Sequence, residues 1–86
     1  NDPGLEVDGF KNYDMIHETY ALTKVIYFIW TGRKTKYHRE KNEILRDFVL
    51  KGISVNKLER YKSVEEIENK MVNEVIPAIR AAVIST

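Results

Sequence analysis

The sequence contains no cysteine. That excludes a disulfide framework, a thiolate nucleophile and a cysteine-based metal site. Four glycines and two prolines in 86 residues exclude a collagen-like or low-complexity chain. No phosphate-binding glycine loop, Gly-x-Ser-x-Gly elbow or His-Glu-x-x-His pair occurs. The two histidines, His17 and His38, lie far apart with no partner at metal-ligand spacing, so neither a metal nor another cofactor is expected. Glu65, Glu66 and Glu68 read as surface acids rather than a paired acid and base, so no catalytic residue is nominated and no enzymatic activity is expected. The first ten residues are acidic and polar, unlike a signal peptide. The chain does not begin with Met, which suggests a processed product or a piece of something longer. The longest apolar run, residues 25–30, directly follows Lys24 and is too short to span a bilayer. A cytoplasmic protein without an integral membrane span is expected.

What is present is the composition of a globular domain, 43% hydrophobic and 31% charged. A chain this short forms one domain whose stability depends on good packing or on oligomerisation. Residues 1–10 read as a turn-rich, flexible lead, and residues 11–86 as a single helical domain. The net charge is +1, but it is unevenly spread. Acids dominate residues 1–10 (Asp2, Glu6, Asp8), residues 11–32 are balanced, residues 33–62 are strongly basic, and residues 63–86 are mildly acidic. A basic middle third suggests an acidic partner for that part of the chain.

The periodicity predicts an all-α fold: a small antiparallel bundle of three to four helices at about 12–31, 35–51, 55–61 and 64–84. The first helix starts near Asn12 and stops at Gly32, a natural left-handed C′ residue. Met15, Ile16, Leu22, Val25, Ile26, Ile29 and Trp30 form its predicted buried stripe, widened by Tyr13, Tyr20, Tyr27 and Phe28. The second buries Tyr37, Ile44, Leu45, Phe48 and Val49 and is closed by Gly52. Ser54 caps a short third segment. Ser63-Val64-Glu65-Glu66 is a capping box that opens the last helix, with Val64, Ile67, Met71, Val72, Val75 and Ile76 as its stripe. Pro77 breaks or kinks that helix, and Ile79, Ala82 and Val83 continue its buried side.

Three stretches carry possible function. Arg33, Lys34, Lys36, Arg39 and Lys41, with Tyr37 and His38 interleaved, supply cations for phosphates and a ring to stack on a base; the plainer alternative is a solvated basic face. Gly52-Ile53-Ser54-Val55-Asn56-Lys57-Leu58-Glu59-Arg60 resembles the turn and recognition-helix start of helix-turn-helix proteins. That resemblance would turn Ser54, Asn56, Lys57 and Arg60 toward DNA. Upstream, Asp47, Phe48 and Lys51 stand where the pattern has apolar, small and apolar residues. His17-Glu18 followed by Leu22-Thr23 faintly resembles the phospho-accepting box of sensor histidine kinases, with one residue too few between the pairs and no proline; the alternative is an ordinary helical histidine.

Aromatic residues crowd the first helix. Tyr20, Tyr27, Phe28 and Trp30 are too many for one small core, and surplus surface aromatics are typical of interfaces. Two functions therefore compete: a non-catalytic module binding DNA or RNA through the basic block 33–62, and a protein-interaction or homo-oligomerisation module, such as an immunity or inhibitor protein. In the second, the first helix packs against a partner or a second copy of the chain, while the basic block is solubilising or meets an acidic protein.

Overall fold

The first helix buries only part of the face that its residue types suggest, keeping Tyr20 and Tyr27 inside and packing Leu22 and Ile26 on the core. In the computed structural model, which describes residues 15–84, helix α1 spans Met15–Thr31 and buries His17, Thr19, Tyr20, Thr23 and Tyr27. Four members of the expected stripe face outward instead: Met15, Val25 (52% exposed), Ile29 (74%) and Trp30 (40%). The expected lead at 1–10 and the expected helix start near Asn12 lie outside the described residues.

The physical reason for this partial shift of face is close packing. The α2 helix (Glu43–Gly52) ends on Gly52, and a Cβ placed there would lie 2.2 Å from the Thr23 hydroxyl oxygen and 2.6 Å from its Cβ. Only glycine on one helix and a small side chain on the other permit that approach. Larger apolar residues on this face of α1 would hold the two helices apart. The buried hydroxyls are satisfied locally. The Thr23 hydroxyl donates to the Thr19 carbonyl at 2.7 Å. The Thr19 hydroxyl lies within bonding distance of the Tyr61 carbonyl (2.5 Å) and the Ile16 carbonyl (3.0 Å). Their burial therefore avoids the cost of an unmade hydrogen bond. Gly52 is thus the last helical residue of α2 and a packing glycine, and its backbone is not left-handed. Gly32 is the left-handed C′ residue, with φ of 72° and its N–H donating to the Phe28 carbonyl at 2.8 Å.

Among the described residues the chain is helical, with no strand. A 3-10 turn at Tyr37–Arg39 precedes α2, and another at Lys57–Glu59 follows it. Helix α3 (Val64–Lys70) passes through a π-helical turn, Met71–Val75, into α4 (Ile76–Ile84). Two predicted elements are therefore shorter than expected. Helix α2 starts at Glu43 rather than near residue 35, because Asn42 caps it by accepting from the Leu45 N–H at 3.1 Å. The predicted helix at 55–61 is a single 3-10 turn, capped not by Ser54 but by Asn56, which accepts from the Leu58 N–H at 3.0 Å.

The capping box is present, with one change. Ser63 accepts from the Glu66 N–H at 3.0 Å, while the Glu66 carboxylate reaches back to the Lys62 N–H at 2.6 Å rather than to Ser63. Pro77 lies one residue inside α4. It has no N–H to donate and would crowd a regular turn before it. That turn is the π-helical one, closed by the Ile76 N–H on the Met71 carbonyl, and π-turns of this kind admit an irregularity without ending a helix.

The core consists of Tyr27, Leu45, Phe48, Val49, Tyr61, Ile67 and Val75, with Leu22, Ile26, Tyr37, Ile53, Met71 and Ile79 packed around it. The Phe48 and Tyr61 rings lie 5.5 Å apart, and the Tyr61 hydroxyl donates to the Phe48 carbonyl at 3.3 Å. Helix α2 is central: it packs on α1, on the π-turn and on α4. Ile44, Val64, Val72 and Val83, expected in the core, are exposed. Helix α4 buries no residue fully, so its apolar surface stays largely in solvent.

Candidate nucleic-acid interface

The basic cluster lies on the connection between α1 and α2, residues 32–42, and not on a helix. This connection has a fixed shape, and Glu40 is its centre. Glu40 is buried, with one carboxylate oxygen accepting from the Tyr27 hydroxyl at 2.9 Å and from Arg33 Nη1 at 3.2 Å. The other oxygen accepts from the Asn42 N–H at 2.8 Å. One side chain thus ties the middle of α1, the start of the loop and the cap of α2. The Tyr37 ring meets the Tyr27 ring edge-on at 5.4 Å, and its hydroxyl donates to the Lys34 carbonyl at 2.5 Å. Burial raises the ionisation of both tyrosines above the ordinary phenol range; at Tyr27 the neighbouring Glu40 adds to the rise and Arg33 opposes it.

With Glu40 turned inward, the cations point out. Arg33, Lys34, Thr35, Lys36, Arg39 and Lys41 line one concavity of about 320 Å³. No acid lines it. Lys36 is the one described non-glycine residue with positive φ, 59° with ψ of 39°. Left-handed backbone is unfavourable for a lysine by about 1–2 kcal/mol, so the loop holds Lys36 there through its other contacts. Lys34 Nζ sits 5.1 Å from the centroid of the Phe28 ring, which joins the basic loop to the outer side of α1.

The remaining nominated residues fall elsewhere. Tyr37 is half-buried and braces the loop, so its ring is not offered to a base. Ser54 bonds the Glu59 carboxylate at 3.1 Å, and Asn56 is occupied as a cap. Arg60 is fully buried: its Nε donates to the Ser54 carbonyl at 2.7 Å, and its guanidinium lies 4.5 Å from the Tyr20 ring centroid. A buried, stacked arginine makes no phosphate contact. The stretch resembling a recognition helix has no helix to present, only a 3-10 turn of three residues. Of the nominated interface aromatics, Tyr20 and Tyr27 are buried, whereas Phe28 (43% exposed) and Trp30 are open. His17 is buried against the core and is not placed as an accessible phospho-acceptor.

Glu40 does not stand out in the sequence as the centre of this loop. The available signal was its place two residues before the capping Asn42, inside a polar stretch without a helical stripe. Among the described residues no group of three His, Cys, Asp or Glu is placed to hold a metal ion, and no helix is long and apolar enough to cross a membrane. No protein-family model matches the chain, and neither a curated protein nor a solved structure is significantly similar to it.

Proposed function

We propose that this chain is a small, non-catalytic helical binding module that grips nucleic-acid phosphates with the loop between α1 and α2. One observation carries the reading: five cationic side chains and Thr35 line a single concavity without an acid, on a loop pinned from beneath by Glu40. Cations held on a fixed backbone contact phosphates without first losing loop entropy. Cations and a threonine suit phosphate oxygens, so the binding would depend on charge and backbone shape more than on sequence. The helices around it are taken as an antiparallel bundle with its last helix adjusted at Pro77, in a cytoplasmic protein.

The test is fluorescence anisotropy with duplex and single-stranded oligonucleotides at several salt concentrations. The expected result is affinity that falls with salt, with a log–log slope of about −0.9 per duplex phosphate contacted. Lys34→Ala, Lys36→Ala and Arg39→Ala should each weaken binding and flatten the slope by roughly one contact. Lys57→Ala, on the failed helix-turn-helix match, should leave binding nearly unchanged. No detectable binding at low salt would remove this function.

The protein-interaction alternative also has a specific observation in its favour, the exposed apolar side of α1 carrying Val25, Phe28, Ile29 and Trp30.

A further inference from the structure

The outward side of α1 is apolar where a one-layer surface helix would be polar. Ala21, Val25, Phe28 and Ile29 are all exposed, and their spacing of i, i+4, i+7 and i+8 places them along one stripe. The opposite side of the same helix carries Thr19, Thr23 and Tyr27 into the core. Helix α1 is therefore two-faced, with its own core on one side and an uncovered ridge on the other. The imbalance extends beyond this helix. Among the described residues, the large hydrophobic side chains left exposed outnumber the hydrophobic ones buried, and association is one way for a chain this small to bury more apolar surface.

We infer that the outward face of α1 is the interface of an antiparallel, two-fold symmetric dimer of this chain. Charge selects both the occupant and its direction. Glu18 is exposed on this face, one turn ahead of Ala21. The other end of α1 runs into the basic loop with Arg33 and Lys34. A parallel pair would bring two basic loops together. An antiparallel pair sets Glu18 of each α1 toward the basic end of the other, and also opposes the two helix dipoles favourably.

The side chains fit that register. With the two-fold axis at Val25, helical geometry puts each Val25 against the partner's Val25. Ala21 then faces the partner's Ile29, a small residue opposite a large one, as interdigitation requires. Glu18 falls opposite the start of the partner's basic loop. The ridge meets the cationic concavity at Lys34, whose Nζ lies over the Phe28 ring, but neither Val25 nor Ile29 lines the concavity, so changes at those two positions test the dimer with the phosphate-binding residues left in place.

The experiment is sedimentation equilibrium of the full chain over about a hundredfold range of concentration, paired with cysteine cross-linking. The expected result is a reversible monomer–dimer equilibrium. Ile29→Glu should abolish the dimer while leaving far-UV circular dichroism unchanged, since Ile29 makes little contact with its own core. Val25→Cys gives a chain with a single thiol. It should oxidise to a covalent dimer, whereas Leu58→Cys, more exposed than Val25 but on the 3-10 turn after α2, should not. Two results would overturn the inference: a monomer at every concentration, or a dimer that survives Ile29→Glu without cross-linking through position 25. A monomer that binds anionic lipid vesicles, and loses that binding on Ile29→Glu, would also overturn it and assign the ridge to a membrane surface.

Discussion

Glu40 links two elements and a loop through three hydrogen bonds. Its carboxylate is the acceptor for a buried tyrosine hydroxyl, an arginine and a backbone N–H. Glu40→Ala leaves the Tyr27 hydroxyl and the Asn42 N–H without that acceptor. The expected cost is about 1–3 kcal/mol, read as a lower midpoint in urea unfolding. Glu40→Gln should cost less, because an amide oxygen still accepts. The Arg33 contact adds little to either figure, since the arginine side chain is 59% exposed and screened by water. Gly52 is the second critical residue. Gly52→Ala drives a methyl into Thr23, and overpacking of this kind costs about 1–3 kcal/mol. Thr23→Ala would not relieve the clash, because the Thr23 Cβ itself lies 2.6 Å from the added carbon. Unfolding of the single and double variants measures this directly.

At the scale of elements, the clear sequence signals were the local ones. Gly32 ends α1 and Ser63 starts α3 because each acts on backbone groups within four residues of itself. Ser63→Ala should therefore lower stability by about 1 kcal/mol, seen as a fall in thermal midpoint. The face that α1 buries was legible only in part, at Tyr20, Leu22, Ile26 and Tyr27, for a physical reason. Hydrophobicity favours burying Val25 and Ile29, but the approach of α1 to α2 is decided by the pairing of Thr23 with Gly52, distant in sequence. The same holds for the basic stretch. Lysines and arginines suit a helix surface by propensity, and nothing near Glu40 in the sequence shows that Tyr27, a dozen residues earlier, holds it inside. The candidate site was thus legible as a cluster of charges, and its backbone was not. Arg60 failed for a related reason. It was read as a charge for DNA, while the Tyr20 ring it stacks on lies on another helix.

For the whole molecule, the tyrosines set an alkaline limit. Tyr61 is buried among core residues, and its ionisation is pushed far up, first by burial and then by Glu66, Glu74 and Asp47. Tyr27 and Tyr37 are raised by burial as well. In the unfolded chain each ionises at about pH 10. Above that pH the unfolded state has released protons that the folded state still holds, so stability falls as pH rises further. Below pH 10 these groups are neutral in both states and contribute no slope. Urea midpoints should be flat with respect to tyrosine ionisation from pH 7 to about 9 and drop beyond 10. Tyr61→Phe, which keeps the ring and loses the titrating hydroxyl, should soften that drop.

The division of labour within residues 32–42 has a practical consequence. The loop's shape is held by Gly32, Glu40 and Asn42, by the Tyr27–Tyr37 pair and by Arg33. The side chains that give it its charge, Lys34, Lys36, Arg39 and Lys41, are exposed. Those four positions can be randomised as a library without dismantling the fold, with Lys36 limited to residues such as glycine and asparagine that accept a left-handed backbone. A variant carrying acids at Lys34, Arg39 and Lys41 would display the same concavity with its polarity reversed. The loop is thus a small scaffold whose ligand preference can be rewritten independently of its architecture.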